Sequence, residues 1–413
     1  MVSLRPAPRR SYPPKSHPVG LVLAGGGMRG AYEVGVLQGM VDVLQLRPAD
    51  AAPFQFIAGT SVGAINSAFL AANSHTPNLG LPALIEAWSG LNFSRDLQLR
   101  LGPWIEQLIR GARAPSPSDV YLGSSLLNPE PLEDLVSTRV DWNQLHQNIA
   151  QGKLNGLLIA ALEVVTGRTV VFNELSPDLE FAPAKDPRRI SRTEPITAAH
   201  VLASAAIPML FPARRVGDDF YCDGGLRFNT PIAPVIRSGA RRVVVISTAR
   251  SSPAAWEKPS VKLEYYPTAG FLLGKVMNAL LLDPLDYDLQ VMQRINRLLE
   301  LHARALDVPN QLEADALFTE TRGMPYRPID ILVFSPSQDI GKMATDYVRT
   351  HLRDLQVGWA LRWLMKTATE PPAESDWIAY LLFEGGFARQ LIELGRRDAH
   401  SRRDEVRRFF GLT

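Results

Sequence analysis

The first residues that could do chemistry are a serine between two glycines, Gly59, Ser61 and Gly63, in the motif GxSxG. An extended apolar run, 54–58, precedes the serine, and a run of small residues with helical character, 64–73, follows it. On such a strand-to-helix turn the serine Oγ is pushed outward, and glycines let neighbouring backbone approach closely. The motif therefore predicts a nucleophilic hydroxyl. The alternative, a turn whose serine only caps the following helix, stays open on this motif alone.

Acyl transfer to a serine also needs a base and donors for the oxyanion. The donors are predicted in a glycine-rich loop, 25–30, that follows an apolar run and precedes a helical pattern. Its consecutive backbone N–H groups at a helix N-terminus suit developing negative charge, and one such donor is typically worth about 2.7–4 kcal/mol. We expect the amides of Gly26 and Gly27, with Gly25 beside them, to form the oxyanion hole.

The candidate base is Asp223, which ends a short strand and is followed by Gly224 and Gly225. The two glycines leave the carboxylate free of neighbouring side chains and able to approach another turn. The alternative is an ordinary aspartate that begins a glycine turn. Because a carboxylate with a pKa of about 3.9 is a weak base for a hydroxyl, a serine–aspartate pair needs a partly dry site that raises this pKa.

Histidine is the usual base for a catalytic serine, but no histidine of this chain lies in a turn that would present a catalytic group. His200 lies on a small-residue helix shortly before Ser204, where a structural role is favoured. The seven histidines are His17, His75, His146, His200, His302, His351 and His400.

The elements that must position these residues begin with two strand–turn–helix units in series. In the first, 19–24 passes through the glycine loop into a helix at 31–44; in the second, 54–58 passes through the Ser61 turn into 64–73. This alternation predicts a parallel sheet with helices on its faces, and ligands then lie at the carboxyl ends of the strands. Further strands are predicted at 157–165, at 169–172, just before Asp223 and at 242–247, a helix at 198–206, and a loop at 176–192.

Beyond about Ser252 the pattern changes to long helices, interrupted by an apolar run at 329–334 that predicts a late strand. The predicted helices are 268–282, 287–306, 345–365 and 376–394. We therefore predict three parts. They are a disordered lead-in rich in proline and arginine at 1–18, a catalytic domain at 19–250, and a mostly helical extension packed on that domain at 251–413.

Composition limits the class of protein. With 413 residues, of which 46% are hydrophobic, the chain can bury a substantial core. A net charge of +2 gives no reason to expect nucleic acid as a partner. A single cysteine, Cys222, excludes an internal disulfide framework and a cysteine-built metal site. Because no apolar run is long enough to span a bilayer and 1–18 lacks the apolar core of a secretory signal, we expect a cytoplasmic protein, soluble or seated on a membrane surface.

Two regions could provide peripheral membrane contact. The apolar segment 271–282 is too short to span a bilayer but could rest in an interface or cover the site, although a buried core helix is favoured. The C-terminal arginine pairs could meet anionic lipid, or lie on a solvated helix of mixed charge. These pairs are Arg396-Arg397, Arg402-Arg403 and Arg407-Arg408.

The combination and order of four motifs resembles the patatin-like phospholipases. The motifs are Gly25-Gly26-Gly27-Met28-Arg29-Gly30, Gly59-Thr60-Ser61-Val62-Gly63, Ala203-Ser204-Ala205-Ala206-Ile207-Pro208, and Asp223-Gly224-Gly225 followed by Asn229 and Pro231.

The resemblance spans roughly residues 19–250 and implies an α/β/α sandwich with a mainly parallel central sheet. It also implies hydrolysis of acyl esters of phospholipids or neutral lipids without a metal or another cofactor. In this family's pattern Ser61 matches the nucleophile, Asp223 the base, and the glycine loop the oxyanion hole. Arg29 matches a basic residue of the loop that orients either the phosphate of the substrate or the loop itself.

Three other interpretations remain open. The loop 25–30 also matches GxGxxG, as in a dinucleotide-binding domain, but the second strand ends in the Ser61 turn rather than in an acidic residue. An α/β-hydrolase with a Ser–Asp–His triad would use His302, His351 or His400. A lipid-binding or scaffold protein with an inactive site would not need Ser61, Asp223 and the glycines together.

Overall fold

The chain is described by a computed structural model that covers residues 17–47, 49–92, 95, 121–122, 125–250, 291–299, 308–352 and 378–412. Several sequence predictions fall outside these ranges. They are nearly all of the lead-in, the helix predicted at 268–282 with its apolar segment 271–282, and parts of the helices predicted at 287–306, 345–365 and 376–394.

Ten strands in the described part of the chain form a single sheet. They are β1 (Val19–Leu23), β2 (Phe56–Thr60), β3 (Tyr121–Leu122), β4 (Gly156–Glu163), β5 (Thr169–Leu175), β6 (Arg189–Thr193), β7 (Ala213–Val216), β8 (Asp219–Asp223), β9 (Arg242–Ile246) and β10 (Asp330–Phe334). The strand order is β10-β9-β1-β2-β4-β8-β7-β3, with β5 paired to β4 and β6 paired to β5. The run from β10 to β4 is parallel, whereas β8, β7 and β3 are antiparallel to their neighbours.

Helices lie on both faces of this sheet. They are α1 (Gly30–Leu44), α2 (Val62–Ala72), α3 (Leu81–Ser89), α4 (Glu130–Arg139), α5 (Trp142–Ala150), α6 (Ala198–Ser204), α7 (Ile232–Arg237), α8 (Val308–Arg322), α9 (Ile340–His351), α10 (Ile378–Leu381), α11 (Gly385–Ser401) and α12 (Arg403–Phe409). Residues 291–299 are also helical. None of the helices in the described ranges is both long and apolar enough to cross a bilayer.

The layering follows from the two-residue period of the buried strands. In β9, Val244 and Ile246 enter the large hydrophobic cluster that also contains residues of α1, α2 and α11. Val243 and Val245 enter a second cluster with residues of α7. Strands that are apolar on both faces are typical of parallel sheets covered by helices on both sides. The predicted three-layer α/β/α fold with a mainly parallel central sheet is therefore confirmed.

The C-terminal part of the described chain packs directly on the first strand–helix unit. The predicted late strand is present as β10, which pairs with β9 and extends the parallel sheet. Helix α11 lies against α1 so closely that a Cβ at Gly35 would lie 2.0 Å from the backbone oxygen of Ile392. Tyr32 of α1 also donates to Asp398 Oδ2 of α11 at 3.0 Å. Division of the chain at residue 250 remains a prediction.

Three local predictions were wrong. The loop predicted at 176–192 contains most of β6, a half-buried strand whose sequence RISRT has one apolar residue and which is formed by pairing with β5. The helix predicted at 376–394 is broken after Leu381 and resumes at Gly385, with α11 reaching Ser401. The strand predicted at 54–58 is shifted to 56–60, because Gly59 and Thr60 pair with β4.

Candidate active site

The turn that contains Ser61, called the nucleophile turn after its predicted role, is formed where β2 passes directly into α2. Ser61 is buried, with 4% of its surface exposed, and has φ 56° and ψ −125°, a backbone conformation that is strained for a residue with a Cβ. The turn needs glycine at Gly63, where a Cβ would lie 2.4 Å from the backbone oxygen of Leu23. The predicted strand–turn–helix presentation of this serine is thus present, and the strained φ is the geometry expected of a nucleophile turn.

Strand β4 brings the nucleophile turn together with residues 223–225, called the base turn after the predicted role of Asp223. One edge of β4 pairs with β5 along nearly its whole length, so β2 and β8 must share the other edge. Thr60, at the end of β2, is opposite Ala160, and Asp223, at the end of β8, is opposite Ala161. Because β2 is parallel and β8 antiparallel to β4, their carboxyl ends point toward each other and meet. Ser61 and Asp223, which are 162 positions apart in the sequence, are thereby placed side by side.

Ser61 and Asp223 are joined by a direct hydrogen bond. The Ser61 hydroxyl donates to Asp223 Oδ2 at 2.6 Å, and the amide of Gly225 donates to Oδ1 at 2.7 Å. The Asp223 side chain is completely buried, and this burial raises its pKa from 3.8 to about 7, although both hydrogen bonds act in the opposite direction. The carboxyl therefore changes charge near neutral pH, which is the range in which a general base works best.

The glycine loop lies against the nucleophile turn. A Cβ at Gly25 would lie 3.2 Å from the Cβ of Ser61. Residues Gly27–Arg29 form a short helical turn, whose first N–H groups have no partner within the turn. Gly27 has φ 57°, and a Cβ there would lie 2.3 Å from the backbone oxygen of Tyr380. The loop thus brings helix-terminal amides to the edge of the sheet where Ser61 lies.

Two neighbouring elements hold the first glycine of this loop. The amide of Gly25 donates to the backbone oxygen of Asn229 at 3.3 Å, and the Gly25 oxygen accepts from Thr248 Oγ1 at 2.6 Å. Thr248 follows β9, so the loop is fixed at the carboxyl ends of β1 and β9 together. Gly25 is therefore tied to the protein by both its amide and its carbonyl.

Arg29 links the glycine loop to the C-terminal part of the chain. Its side chain is buried, the guanidinium lies 4.7 Å from the centre of the Tyr380 ring, and Nη1 donates to the Thr248 backbone oxygen at 3.4 Å. The next residue, Gly30, begins α1, and a Cβ there would lie 2.6 Å from Val62 Cγ2. The second half of the loop is therefore in contact with both α2 and Tyr380.

The last residue of α6 and the segment that follows it contact both turns. The Ser61 amide donates to Ser204 Oγ at 2.9 Å, and the Ser204 hydroxyl donates to the backbone oxygen of Ala160 at 2.6 Å. Two residues further on, the backbone oxygen of Ala206 accepts from the Asp223 amide at 2.9 Å. The sequence placed Ser204 in a motif but did not indicate what it contacts.

A second buried carboxyl lies beneath the glycine loop. Glu33 of α1 is completely buried, accepts from Asn66 Nδ2 of α2 at 2.9 Å, and burial holds its pKa well above its ordinary value. Asn66 also donates to the backbone oxygen of Gly30 and accepts from Trp88 Nε1. This network ties α1 to the nucleophile helix. This network was not predictable from the sequence, because a glutamate in a helical pattern is typical of a solvated face.

The described histidines form their hydrogen bonds away from Ser61 and Asp223. His200 accepts from the backbone amide of its own cap residue, Thr197, as predicted for a structural histidine. His351 bonds to the backbone oxygen of Tyr347, and His400 to Asp42. His302, the third histidine of the triad interpretation, lies outside the described residues. Among the residues that the structure describes, no group of three His, Cys, Asp or Glu side chains could hold a metal ion.

The arginine pairs near the C-terminus are partly engaged with carboxylates. Arg396 pairs with Asp42 at 2.8 Å, and Arg402 pairs with Glu405 at 2.6 Å.

Cys222, next to Asp223 in β8, is buried, and burial raises the pKa of its thiol to about 12. This thiol is therefore not a competing nucleophile.

Comparison with known proteins shows the family to which the chain belongs. The profile of the family described as patatin-like phospholipase matches residues 21–236, more than half of the chain. The chain therefore belongs to the patatin-like phospholipase family, a family of lipid hydrolases. The matched region contains the glycine loop, Ser61 and Asp223. No curated protein sequence matches the chain at a significant level.

Solved structures with a similar chain path are distant in sequence. VipD from Legionella pneumophila is 13% identical, with a TM-score of 0.39, and the match covers 98% of this chain and 72% of VipD. Human GIVD cytosolic phospholipase A2 is 12% identical, with a TM-score of 0.44, and the match covers 96% of this chain. The chain spans 60% of the length of that human protein.

Proposed function

We propose that the protein hydrolyses fatty acyl ester bonds of lipids, as a phospholipase A or lysophospholipase, with Ser61 as nucleophile and Asp223 as base. The observation that carries this proposal is the 2.6 Å hydrogen bond between Ser61 Oγ and a buried carboxylate whose pKa is raised to about 7. Burial supplies the basicity that an exposed aspartate would lack. Membership of the patatin-like phospholipase family supports a lipid ester as the substrate.

The reaction begins when Asp223 takes the proton of Ser61 as Oγ attacks the ester carbonyl. The oxyanion of the tetrahedral intermediate collapses, the lipid alcohol leaves with the proton from Asp223, and the acyl group stays on Ser61 as an ester. Water then loses a proton to Asp223 and attacks the acyl-enzyme. The fatty acid is released, and the proton returns to Ser61. One base serves both half-reactions, in line with general acid–base catalysis.

The amides at the start of the Gly27–Arg29 turn are proposed as the oxyanion donors. Gly26 and Gly27 are favoured over Gly25, because the Gly25 amide already donates to Asn229. The turn also has the positive end of a helical peptide dipole, which favours an anion. Arg29, held between Tyr380 and Thr248, is proposed to keep this loop in place.

The proposal is tested by hydrolysis of a chromogenic fatty acyl ester, followed by product analysis on a mixed phospholipid extract. We expect Ser61→Ala and Asp223→Asn each to lower kcat by at least about 1000-fold, because both take part directly in the chemical step. Ser67→Ala is the matched control for the serine, since Ser67 is buried on the same helix and its hydroxyl has no hydrogen-bond partner in the described structure. Asp218→Asn, at an exposed hairpin tip, is the control for the aspartate.

Equal turnover by the wild type, Ser61→Ala and Asp223→Asn would overturn the proposal. A serine-directed fluorophosphonate gives an independent measurement, because it labels an activated serine whatever the natural lipid is. We expect labelling of the wild type and of both controls. Failure of this reagent to label the wild type would favour a protein that binds lipid without hydrolysing it.

A further inference from the structure

Ser204, the last residue of α6, lies where strands β2, β4 and β8 come together. Its hydroxyl donates to the backbone oxygen of Ala160 in β4 and accepts from the Ser61 amide. Ala160 is the residue opposite Thr60, and the next residue of β4 is opposite Asp223. The hydroxyl is completely buried. It therefore links the nucleophile to the position on β4 where the partner strand changes from β2 to β8.

The direction of these two bonds fixes the orientation of the Ser204 hydroxyl. Its one hydrogen is directed to Ala160, which leaves an oxygen lone pair directed to the Ser61 N–H. Ser61 has φ 56° and ψ −125°, a strained conformation that persists only when surrounding contacts enforce it. A buried N–H without a partner is itself unfavourable. Ser204 thus provides the acceptor that this strained residue needs.

The same segment also holds the base. The Ala206 backbone oxygen accepts from the Asp223 amide at 2.9 Å, two residues after Ser204. One short stretch of chain therefore binds the backbone of the nucleophile and the backbone of the base. These contacts add to the pairing of β2 and β8 with β4, and together they hold Ser61 Oγ 2.6 Å from Asp223 Oδ2.

We infer that Ser204 is a positioning residue that holds Ser61 against Asp223 through the Ser61 amide; this role rests on the proposed function. Ser204 acts through Ser61 and does not itself contact the reacting atoms. One consequence concerns the oxyanion. Because the Ser61 amide is already bound to Ser204, it is not available to the tetrahedral intermediate, which is consistent with the donors proposed in the glycine loop.

The test compares Ser204→Ala, Ser204→Thr and the control Ser176→Ala. Ser176 is a matched buried serine that donates to backbone oxygens of Ile149 and Leu154 beyond the amino end of β4. Initial rates are divided by the concentration of active sites, titrated with a fluorophosphonate, so that unfolded protein does not count. We expect Ser204→Ala to lower kcat about 10- to 100-fold with less than a twofold change in KM. Ser204→Thr keeps the acceptor oxygen and should recover most of this loss.

Two outcomes separate positioning from a purely structural role. A structural role would lower the melting temperature of Ser204→Ala and of Ser176→Ala alike, without changing kcat per active site in either. A kcat of Ser204→Ala within twofold of the wild type would therefore overturn the inference. The hydrogen bond from Ser61 lowers the pKa of Asp223, so a weaker bond in Ser204→Ala should move the fall of kcat/KM at low pH toward higher pH.

Hydrogen exchange tests the contact without relying on activity. We expect the Ser61 amide to exchange at least tenfold faster in Ser204→Ala than in the wild type, and Ser176→Ala to leave it unchanged. Unchanged exchange in Ser204→Ala would overturn the inference even if the wild type were inactive. If the wild type is inactive but exchange rises as expected, the proposed hydrolysis fails while the contact stands.

Discussion

The nucleophile turn and the base turn meet at one hydrogen bond, yet each lowers the stability of the folded state for a different reason. Ser61 has a strained backbone, φ 56° and ψ −125°, and an uncharged side chain. Asp223 has an unstrained backbone, φ −53° and ψ 125°, but a completely buried carboxyl. The first cost is conformational and does not depend on pH. The second is electrostatic and depends on pH, so that experiments can separate the two.

The largest expected effect on stability belongs to the base turn. The Asp223 carboxyl ionises near pH 3.8 when unfolded and near pH 7 when folded, so the folded state binds more protons between these values. The stability that this group contributes is therefore fully present below about pH 4 and is lost as pH rises through 7. The loss in the free energy of unfolding is at most about 4 kcal/mol. We expect Asp223→Asn to be more stable than the wild type at pH 8 and little different at pH 4, as measured by urea unfolding.

The control for this prediction is Asp218→Asn. Asp218 is fully exposed at the β7–β8 hairpin tip, so its replacement should change the free energy of unfolding little at either pH. If Asp223→Asn raised the free energy of unfolding by the same amount at pH 4 and at pH 8, packing rather than the buried charge would be the cause.

The next effect is the pH dependence of catalysis. The raised pKa of Asp223 predicts that kcat/KM of the wild type rises about tenfold per pH unit below pH 7 and levels off above it. Between pH 8 and pH 5 we expect a fall of about 100-fold on an ester substrate. Enzyme held at pH 5 and returned to pH 8 should recover its full rate. A profile that stays flat down to pH 5 would mean that burial does not raise the pKa of this base.

The smallest effect belongs to the nucleophile turn. Ser61→Gly and Ser61→Ala should both be inactive, but glycine accepts the Ser61 backbone conformation without strain. We expect Ser61→Gly to be more stable than Ser61→Ala by about 1 kcal/mol, after allowance for the greater freedom of unfolded glycine. The difference should be the same at pH 4 and pH 8, in contrast to Asp223→Asn.

Ser67 provides the matched comparison, because it lies within α2 and has ordinary helical surroundings. There the order should reverse, with Ser67→Gly less stable than Ser67→Ala by about 1 kcal/mol. If alanine were the better replacement at both positions, the strain assigned to Ser61 would be absent and the two turns would differ less than their backbone angles indicate.

Much of the site was predictable because its signals are local. A strand followed by GxSxG and a helix specifies how Ser61 is presented, and an aspartate before two glycines specifies a carboxyl that can approach another turn. The parallel core followed from apolar runs separated by helical patterns. Strand β6 was not predictable in this way, since its polar residues become a strand only by pairing with β5.

The contacts that hold the site together could not be predicted from neighbouring residues in the sequence. Nothing near Ser204 in the sequence indicates that its hydroxyl binds the amide of Ser61, and nothing near Arg29 indicates that it lies over the ring of Tyr380. The strand register is a property of the whole sheet, because pairing depends on which strands occupy each edge.

The sequence by itself therefore determined the chemical groups and the turns that present them, since residue type and backbone preference act within a few positions. Only the tertiary structure decided that β2 and β8 share one edge of β4, which places an alcohol 2.6 Å from a carboxylate. It also decided the basicity of that carboxylate. The pKa of Asp223 is raised because residues from distant parts of the chain exclude water from it, and exclusion of water is a property of the folded protein alone.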